Sequence, residues 1–269
     1  MNLIENKMRN ILCCLVVLIL TGCLPTPSRL TGGDIRLWKN TPAWNLAMSV
    51  RNGDTARIKR ILARGRVSVD YREPTYGQSL LHWAIWRNKA DMVKFLLQQG
   101  ADINLRDYWS SESPIILACS YPDIDAKIVR ILLDNGANPN DHASENDSVF
   151  EGRIRSYDTP LIEAARDNLE KTKMLIEAGA DPYYYWKPGE NALNEAAIQQ
   201  HFEIVEYLLV DCGMDPSQSF TITIHGDTLH LKDILNRSNP NYRDTEENRT
   251  SLKRVYQFLD EWEKKHKVD

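Results

Sequence analysis

The sequence predicts an all-α solenoid of about five stacked helix pairs, closed by a helical C-terminal cap. Three observations predict it. One segment design recurs between residues 44 and 216, every copy closes on a glycine with Asp or Asn shortly after it, and no copy has enough apolar surface to fold alone.

The clear copies are SLLHWAIWRNKADMVKFLLQQGADIN (79–104), SPIILACSYPDIDAKIVRILLDNGANPN (113–140), TPLIEAARDNLEKTKMLIEAGADP (159–182) and NALNEAAIQQHFEIVEYLLVDCGMDP (191–216). A divergent copy, WNLAMSVRNGDTARIKRILARGRVSVD (44–70), precedes them. Each reads as an Ala-containing first helix, a polar break and a Leu-rich second helix. Alanines 84, 118, 164, 165, 196 and 197 keep the first helices thin enough for neighbours to approach. Phe95-Leu96-Leu97, Ile131-Leu132-Leu133 and Tyr207-Leu208-Leu209 supply the interior. The closing glycines, Gly65, Gly100, Gly136, Gly179 and Gly213, are spaced 35, 36, 43 and 34 residues apart. Glycine just past a helix end adopts the left-handed conformation that satisfies the last carbonyls without a Cβ penalty.

This pattern resembles the ankyrin repeat. The family signature T-P-L-H-x-A stands here as Ser79-Leu80-Leu81-His82-Trp83-Ala84 and as Thr159-Pro160-Leu161-Ile162-Glu163-Ala164. The resemblance covers residues 44 to 216. It departs from the family in keeping the histidine in one copy, in two extra residues around Pro122 and in a one-residue deletion between the helices of the 159–182 copy. The resemblance implies finger-like turns between repeats and, beside them, a concave face of first helices where a protein partner docks. The fingers then carry Tyr71, Arg72 and Tyr76; Arg106, Tyr108 and Trp109; and Tyr183, Tyr184, Tyr185, Trp186 and Lys187. Trp86, Arg87, Tyr121 and Arg166, just after the Ala-rich motif, line the concavity. Tyr, Trp and Arg dominate interface hot spots because they desolvate large area at modest entropic cost. For any single ring, packing on the adjacent finger is the alternative.

The interval of 43 between Gly136 and Gly179 places surplus residues in Asp141 to Tyr157. Glu145, Asp147 and Glu151 would meet a basic partner there and Phe150 would anchor it, unless the segment is a tolerated insertion. Beyond the repeats, 217–269 read as a degenerate sixth unit and cap, with helical periodicity over 227–237 and 251–265. Leu252, Val255, Tyr256, Leu259 and Trp262 share one face, with Glu261, Glu263, Lys264 and Lys265 toward water.

At the amino end, Ile11 to Leu20 are ten uninterrupted apolar residues after Lys7 and Arg9, about half the ~20 that cross a bilayer. They read as the core of a secretory signal, residues 1–22. Leu20-Thr21-Gly22-Cys23 resembles the bacterial lipobox, which implies cleavage before Cys23 and lipid on that cysteine. Residues 23–43 are then the lipidated cysteine and a tether. Leu24, where an aspartate would favour inner-membrane retention, implies an outer-membrane lipoprotein facing the periplasm. Of the five cysteines, only Cys119 and Cys212 remain as thiols. They lie two repeats apart, beyond the ~7 Å reach of a disulfide, and are expected buried and inert. Processing makes the chain one unit more negative than its formal −4, so nucleic acid is not an expected partner.

Signs of catalysis are few. His82 and His201 stand at structural positions of the ankyrin repeat. His225, Asp227 and His230 form the one tight metal-capable cluster, without further ligands at recognisable spacing. No nucleophile elbow or phosphate loop occurs. No catalytic residue, metal or cofactor is expected, and a hydrolase or metal site at 225–230 is the remaining enzyme reading. The favoured expectation is a membrane-tethered, non-enzymatic module binding a protein. By resemblance to bacterial ankyrin-repeat lipoproteins, it is an immunity protein that neutralises a toxin effector such as a phospholipase or other envelope hydrolase. A periplasmic scaffold or stress-protection lipoprotein supporting an envelope enzyme is the alternative.

Cys23→Ser is expected to abolish acylation and to release the chain from the membrane fraction. Radiolabelled palmitate entering the variant as it enters the parent would remove the anchor.

Overall fold

The computed structural model describes residues 33–142, 149–150, 153–154, 158–185, 191–222, 228–237 and 245–266. The helices pair as α1 (Trp44–Asn52) with α2 (Thr55–Ala63), α3 (Leu80–Trp86) with α4 (Ala90–Gln98), and α5 (Pro114–Ser120) with α6 (Ala126–Asp134). They continue as α7 (Pro160–Ala165) with α8 (Leu169–Glu177), then α9 (Ala192–Ile198) with α10 (Phe202–Glu206), which runs on as a π-helical turn, Tyr207–Asp211. First helices α1, α3, α5, α7 and α9 stack in one row, and α4, α6, α8 and α10 in a second. The result is the expected all-α solenoid, interrupted by two antiparallel hairpins. One pairs β1 (Val149–Phe150) with β2 (Arg153–Ile154), and the other pairs β3 (Phe220–Ile222) with β4 (Thr228–His230). No helix among the described residues is long and apolar enough to cross a membrane.

Local chemistry starts and ends these helices. Asp54, Asp125, Asn168 and Asn191 accept backbone N–H bonds at their N-termini, as does Thr159 ahead of Pro160. All five closing glycines have positive φ, from 65° to 92°. The alanines singled out above are buried, and Leu46, Leu80, Leu117, Leu161 and Leu193 form one continuous core along the stack.

His82, fully buried, carries the second repeat's start. Its Nδ1 accepts from the Ser79 backbone N–H at 3.3 Å and lies 2.9 Å from the Ser79 hydroxyl. That leaves the proton on Nε2, which donates to the Glu112 carbonyl of the next repeat at 3.3 Å. Burial holds its pKa below the ordinary histidine value, so the ring is neutral.

The extra residues around Pro122 sit between α5 and α6, where two polar side chains satisfy the displaced backbone. Lys171 of α8 is wholly enclosed and donates from Nζ to the Tyr121 carbonyl at 2.7 Å. Asn88 spans to the same loop, donating to the Asp123 carbonyl at 2.8 Å and accepting from the Asp125 N–H at 2.9 Å. Burial lowers the pKa of Lys171.

Three boundaries differ from expectation. The tether expected over 23–43 gives way to packed structure from Asp34, because Ile35, Leu37 and Trp38 of a 3-10 turn (Ile35–Trp38) bury themselves against α1. Helix expected from 227 begins at Leu231 as α11 (Leu231–Asn236), since Thr228–His230 pairs with β3 instead. The last helix, α12 (Glu246–His266), starts earlier than 251 and packs on α10, with Val255 and Leu259 buried. Glu263, partly exposed as expected, pairs with Lys232 2.9 Å away. Cys119 is buried, and burial pushes its thiol up to about 12; Cys212 is only half-buried. Both are free. Cys23, His225 and Asp227 lie outside the described residues.

His82→Ala is expected to cost about 2 kcal/mol or more, measured by urea unfolding, because it takes the acceptor from the buried Ser79 N–H and opens a cavity. The neutral native ring also makes stability fall as pH drops below ~6.5, where the unfolded histidine takes up its proton. The variant loses that component of the acid response.

Candidate protein-binding surface

The fingers are built by acidic side chains folding the chain back on itself. The buried Glu73 carboxylate accepts from the N–H groups of Thr75 (2.6 Å), Tyr76 (2.7 Å) and Gln78 (3.1 Å). Asp107 does the same in the second finger, taking the Ser110 N–H at 2.7 Å and its hydroxyl at 2.9 Å. Gly77 sits at φ 71°, and a Cβ there would lie 2.2 Å from the Tyr108 ring. Glycine is required because the two fingers touch at this point.

The structure brings most of the candidate residues together as pairs between neighbouring repeats. The Tyr76 carbonyl accepts from the Tyr108 N–H at 2.7 Å, Trp109 meets Tyr76 edge-on at 5.8 Å, and the Arg72 guanidinium lies 4.7 Å above the Tyr108 ring. Arg106 donates to the Ser111 carbonyl at 2.7 Å, to the His142 carbonyl at 2.8 Å and to the Asp141 carboxylate, tying the second finger to the start of the long segment. Tyr184 packs on His142 at 5.3 Å, and the Tyr183 hydroxyl accepts from the Asp215 N–H at 3.2 Å. Tyr71, Arg72, Tyr76 and Tyr184 are half-buried, while Tyr108 (47% exposed), Trp109 (50%), Tyr183 (36%) and Tyr185 (56%) keep a face to solvent.

On the concave side, Trp86 and Tyr121 of adjacent repeats meet at 4.3 Å with their rings tilted by 53°, and Tyr121 and Arg87 are exposed. Arg166 holds three carboxylates: Asp158 at 2.7 Å, Glu163 at 2.6 Å and Glu195 at 3.1 Å. Burial pushes Glu163 up to about 7 against the pull of Arg166, and Asp158 and Glu195 reinforce the rise. Burial works against the charge of Arg166, yet Glu163, Glu195 and Asp158 together hold its pKa above the ordinary value. Glu145, Asp147, Glu151, Trp186 and Lys187 lie outside the described residues. Phe150 is placed only as part of β1.

Glu73, Gly77, Asp107, Asp141 and the carboxylates on Arg166 are absent from the sequence-derived set. Pro74 and Gly77 mark the first turn in the sequence, whereas nothing local pairs Arg106 with Asp141 or Arg166 with Glu195. Among the described residues, no three His, Cys, Asp or Glu side chains gather as a metal site requires.

A row of stacked helix pairs presenting turns on one edge defines a helical-repeat binding scaffold. The ankyrin-repeat family models match it directly, one spanning residues 76–108 and one describing three copies spanning 115–219. The chain belongs to the ankyrin-repeat proteins. It is similar to Ankyrin repeat and SOCS box protein 6 of Pongo abelii, 33% identical over 178 residues, covering 60% of this chain and 41% of the relative. It is similar to Protein phosphatase 1 regulatory subunit 27 of Mus musculus, 32% identical over 102 residues (37% of this chain, 65% of the relative). A third relative, Putative ankyrin repeat protein L371 of Acanthamoeba polyphaga mimivirus, is 25% identical over 159 residues (59% and 18%). The chain thus spans about two fifths of the SOCS box relative's length. Ankyrin repeats make the chain a protein–protein interaction module.

Because the folded Glu163 carboxyl titrates near 7 against an ordinary value of 4.5, its contribution to stability is full below pH 4.5 and lost as pH rises through 7. Glu163→Gln keeps a neutral side chain at every pH. Its stability relative to the parent is expected to rise between pH 5 and pH 8 in thermal melts, and a constant difference would show that Glu163 stays ionised throughout.

Proposed function

We propose that this chain is a lipid-anchored, non-enzymatic module that holds a protein partner against its finger row, and that the partner is a toxin effector acting on the cell envelope. The row of half-exposed rings, Tyr108, Trp109, Tyr183 and Tyr185, carries the binding part of the reading. Tyr108, Trp109 and Tyr183 are each held by a neighbouring finger yet stay partly open, so little rotamer freedom remains for them to lose on docking, and Tyr185 is the most exposed of the four. The lipobox-like Leu20-Thr21-Gly22-Cys23 after a short apolar run supports the anchor. The effector reading rests on resemblance to bacterial ankyrin-repeat lipoproteins, and a partner that attacks lipids or the cell wall gives an anchored inhibitor its reason. The relatives named as a SOCS box protein and as a phosphatase regulatory subunit favour a non-enzymatic role. A scaffold for an envelope enzyme would use the same surface.

The test pairs affinity with stability, using the product of the neighbouring gene as trial ligand. Trp109→Ala and Tyr185→Ala are each expected to weaken binding by ~2 kcal/mol, about thirtyfold, with the thermal midpoint nearly unchanged. Unchanged affinity for a confirmed ligand moves the binding surface elsewhere on the solenoid. If that ligand is an envelope hydrolase, its activity should fall on binding; an active complex favours the scaffold.

A further inference from the structure

At the N-terminal end of the stack, away from the fingers, a cavity of about 430 Å³ opens between the 3-10 turn and the ends of α1 and α3. Gly33 and Asp34 form one side; Arg51, Trp83, Arg87 and Lys89 form the other. Gly33 lies in van der Waals contact with the end of α3, where a Cβ would sit 3.5 Å from Trp86 and 3.6 Å from the Arg87 side chain. The segment ahead of the 3-10 turn therefore closes one wall.

The charge of this cavity is unbalanced. Asp34 is its one carboxylate and is held mainly by Arg36, with Nε at 3.1 and 3.0 Å from its two oxygens and a terminal nitrogen at 2.6 Å, while Arg87 acts on it from a longer distance. Arg51 reaches only the Asn52 amide oxygen, at 3.4 Å. Neither Arg51, Arg87 nor Lys89 has a carboxylate within ion-pair distance among the described residues, and all three are exposed. Trp83 is only 2% exposed, and its indole N–H has no acceptor among the described residues. Cations belong at helix C-termini, but the two carbonyl ends here carry about −0.5 each. Three full positive charges exceed what those ends require.

We propose that this cavity is a binding site for a phosphate group. Guanidinium forks match tetrahedral oxyanions with paired bonds, and a phosphate ester brings roughly −1.5 to −2 charges and three acceptor oxygens. A carboxylate would leave most of the positive charge unmet. The phosphate belongs either to a soluble ester or to a phospholipid headgroup. Gly33 follows Cys23 by ten residues, a reach of at most ~35 Å when extended, so an anchored chain keeps the cavity close to headgroups. That second source rests on the lipid-anchor reading, whereas the site itself does not.

The experiment uses the full chain and its Arg51→Gln/Lys89→Gln double variant, with matching thermal melts to establish that both are folded. Inorganic phosphate and glycerol 3-phosphate are titrated by calorimetry. Vesicles of phosphatidylcholine with and without phosphatidylglycerol are co-sedimented with the Cys23→Ser chain, so that no acyl chain holds it. Binding of either soluble phosphate that weakens about tenfold or more in the double variant supports the site with a soluble ligand. An excess of binding to the phosphatidylglycerol vesicles, lost in the double variant, supports the site with a headgroup. Equal binding by parent and double variant for every probe, or no binding of any probe, overturns it. Trp109→Ala is expected to leave phosphate binding intact, so failure of the finger surface and failure of this site are separable.

Discussion

Nearest-neighbour stacking is the constraint on which everything else in this chain depends. A helix pair of about twenty residues cannot bury its own apolar face, so each pair folds only against the next. Small residues make the contact close: Ala84, Ala118, Ala164, Ala165, Ala196 and Ala197 lie buried where first helices meet. The ends of the row need different chemistry. At one end Ile35, Leu37 and Trp38 fold over α1, and at the other α12 lays Val255 and Leu259 on α10. Both caps replace a missing repeat with apolar surface of their own, which is why neither retains the repeat's sequence.

Stacking also accounts for the hydrogen bonds that run between repeats outside the core. Asp70 accepts from the Asp102 N–H at 2.8 Å, and Asn140 accepts from the Asp181 N–H at 2.7 Å. These are the residues that follow the closing glycines. Asp70 and Asn140 thereby carry one finger's backbone onto the next, while Asp102, Asn138, Asp181 and Asp215 accept from the N–H two residues on within their own finger. Where the chain departs from the repeat, a polar side chain takes over the displaced backbone, as Lys171 and Asn88 do around Pro122. Burying a lysine is costly unless its ammonium is hydrogen-bonded, and the Tyr121 carbonyl meets that need.

The two ends of the solenoid differ in charge. Arg51, Arg87 and Lys89 gather near the entry of the chain, whereas Glu203, Glu206, Asp211, Glu246 and Glu247 outnumber Lys173 and Arg254 around a groove between α10 and α12. The formal −4 of the whole chain conceals this separation. A protein or lipid surface approaching from either end would meet a field of opposite sign, screened beyond about 8–10 Å at physiological salt.

The recurring glycines, the alanine positions and the Leu-rich second helices determined the all-α solenoid from the sequence alone. Their spacing reports local backbone conformation and helix-face periodicity, which act over a few residues. The aromatic and arginine content of the fingers was legible in the same way. Which ring meets which was not. Tyr108 over Gly77, Arg106 on Asp141 and Glu195 on Arg166 join residues about thirty positions apart, and only the superposition of one repeat on the next fixes those distances. The packed turn at Ile35 to Trp38 was hidden for a related reason, since three apolar side chains in a short polar stretch acquire a role only when α1 is there to receive them. The same holds for the cationic cavity: Arg51, Trp83 and Lys89 carry no signal in the sequence, and Arg87 only that of the concave face, until stacking sets their side chains around one space.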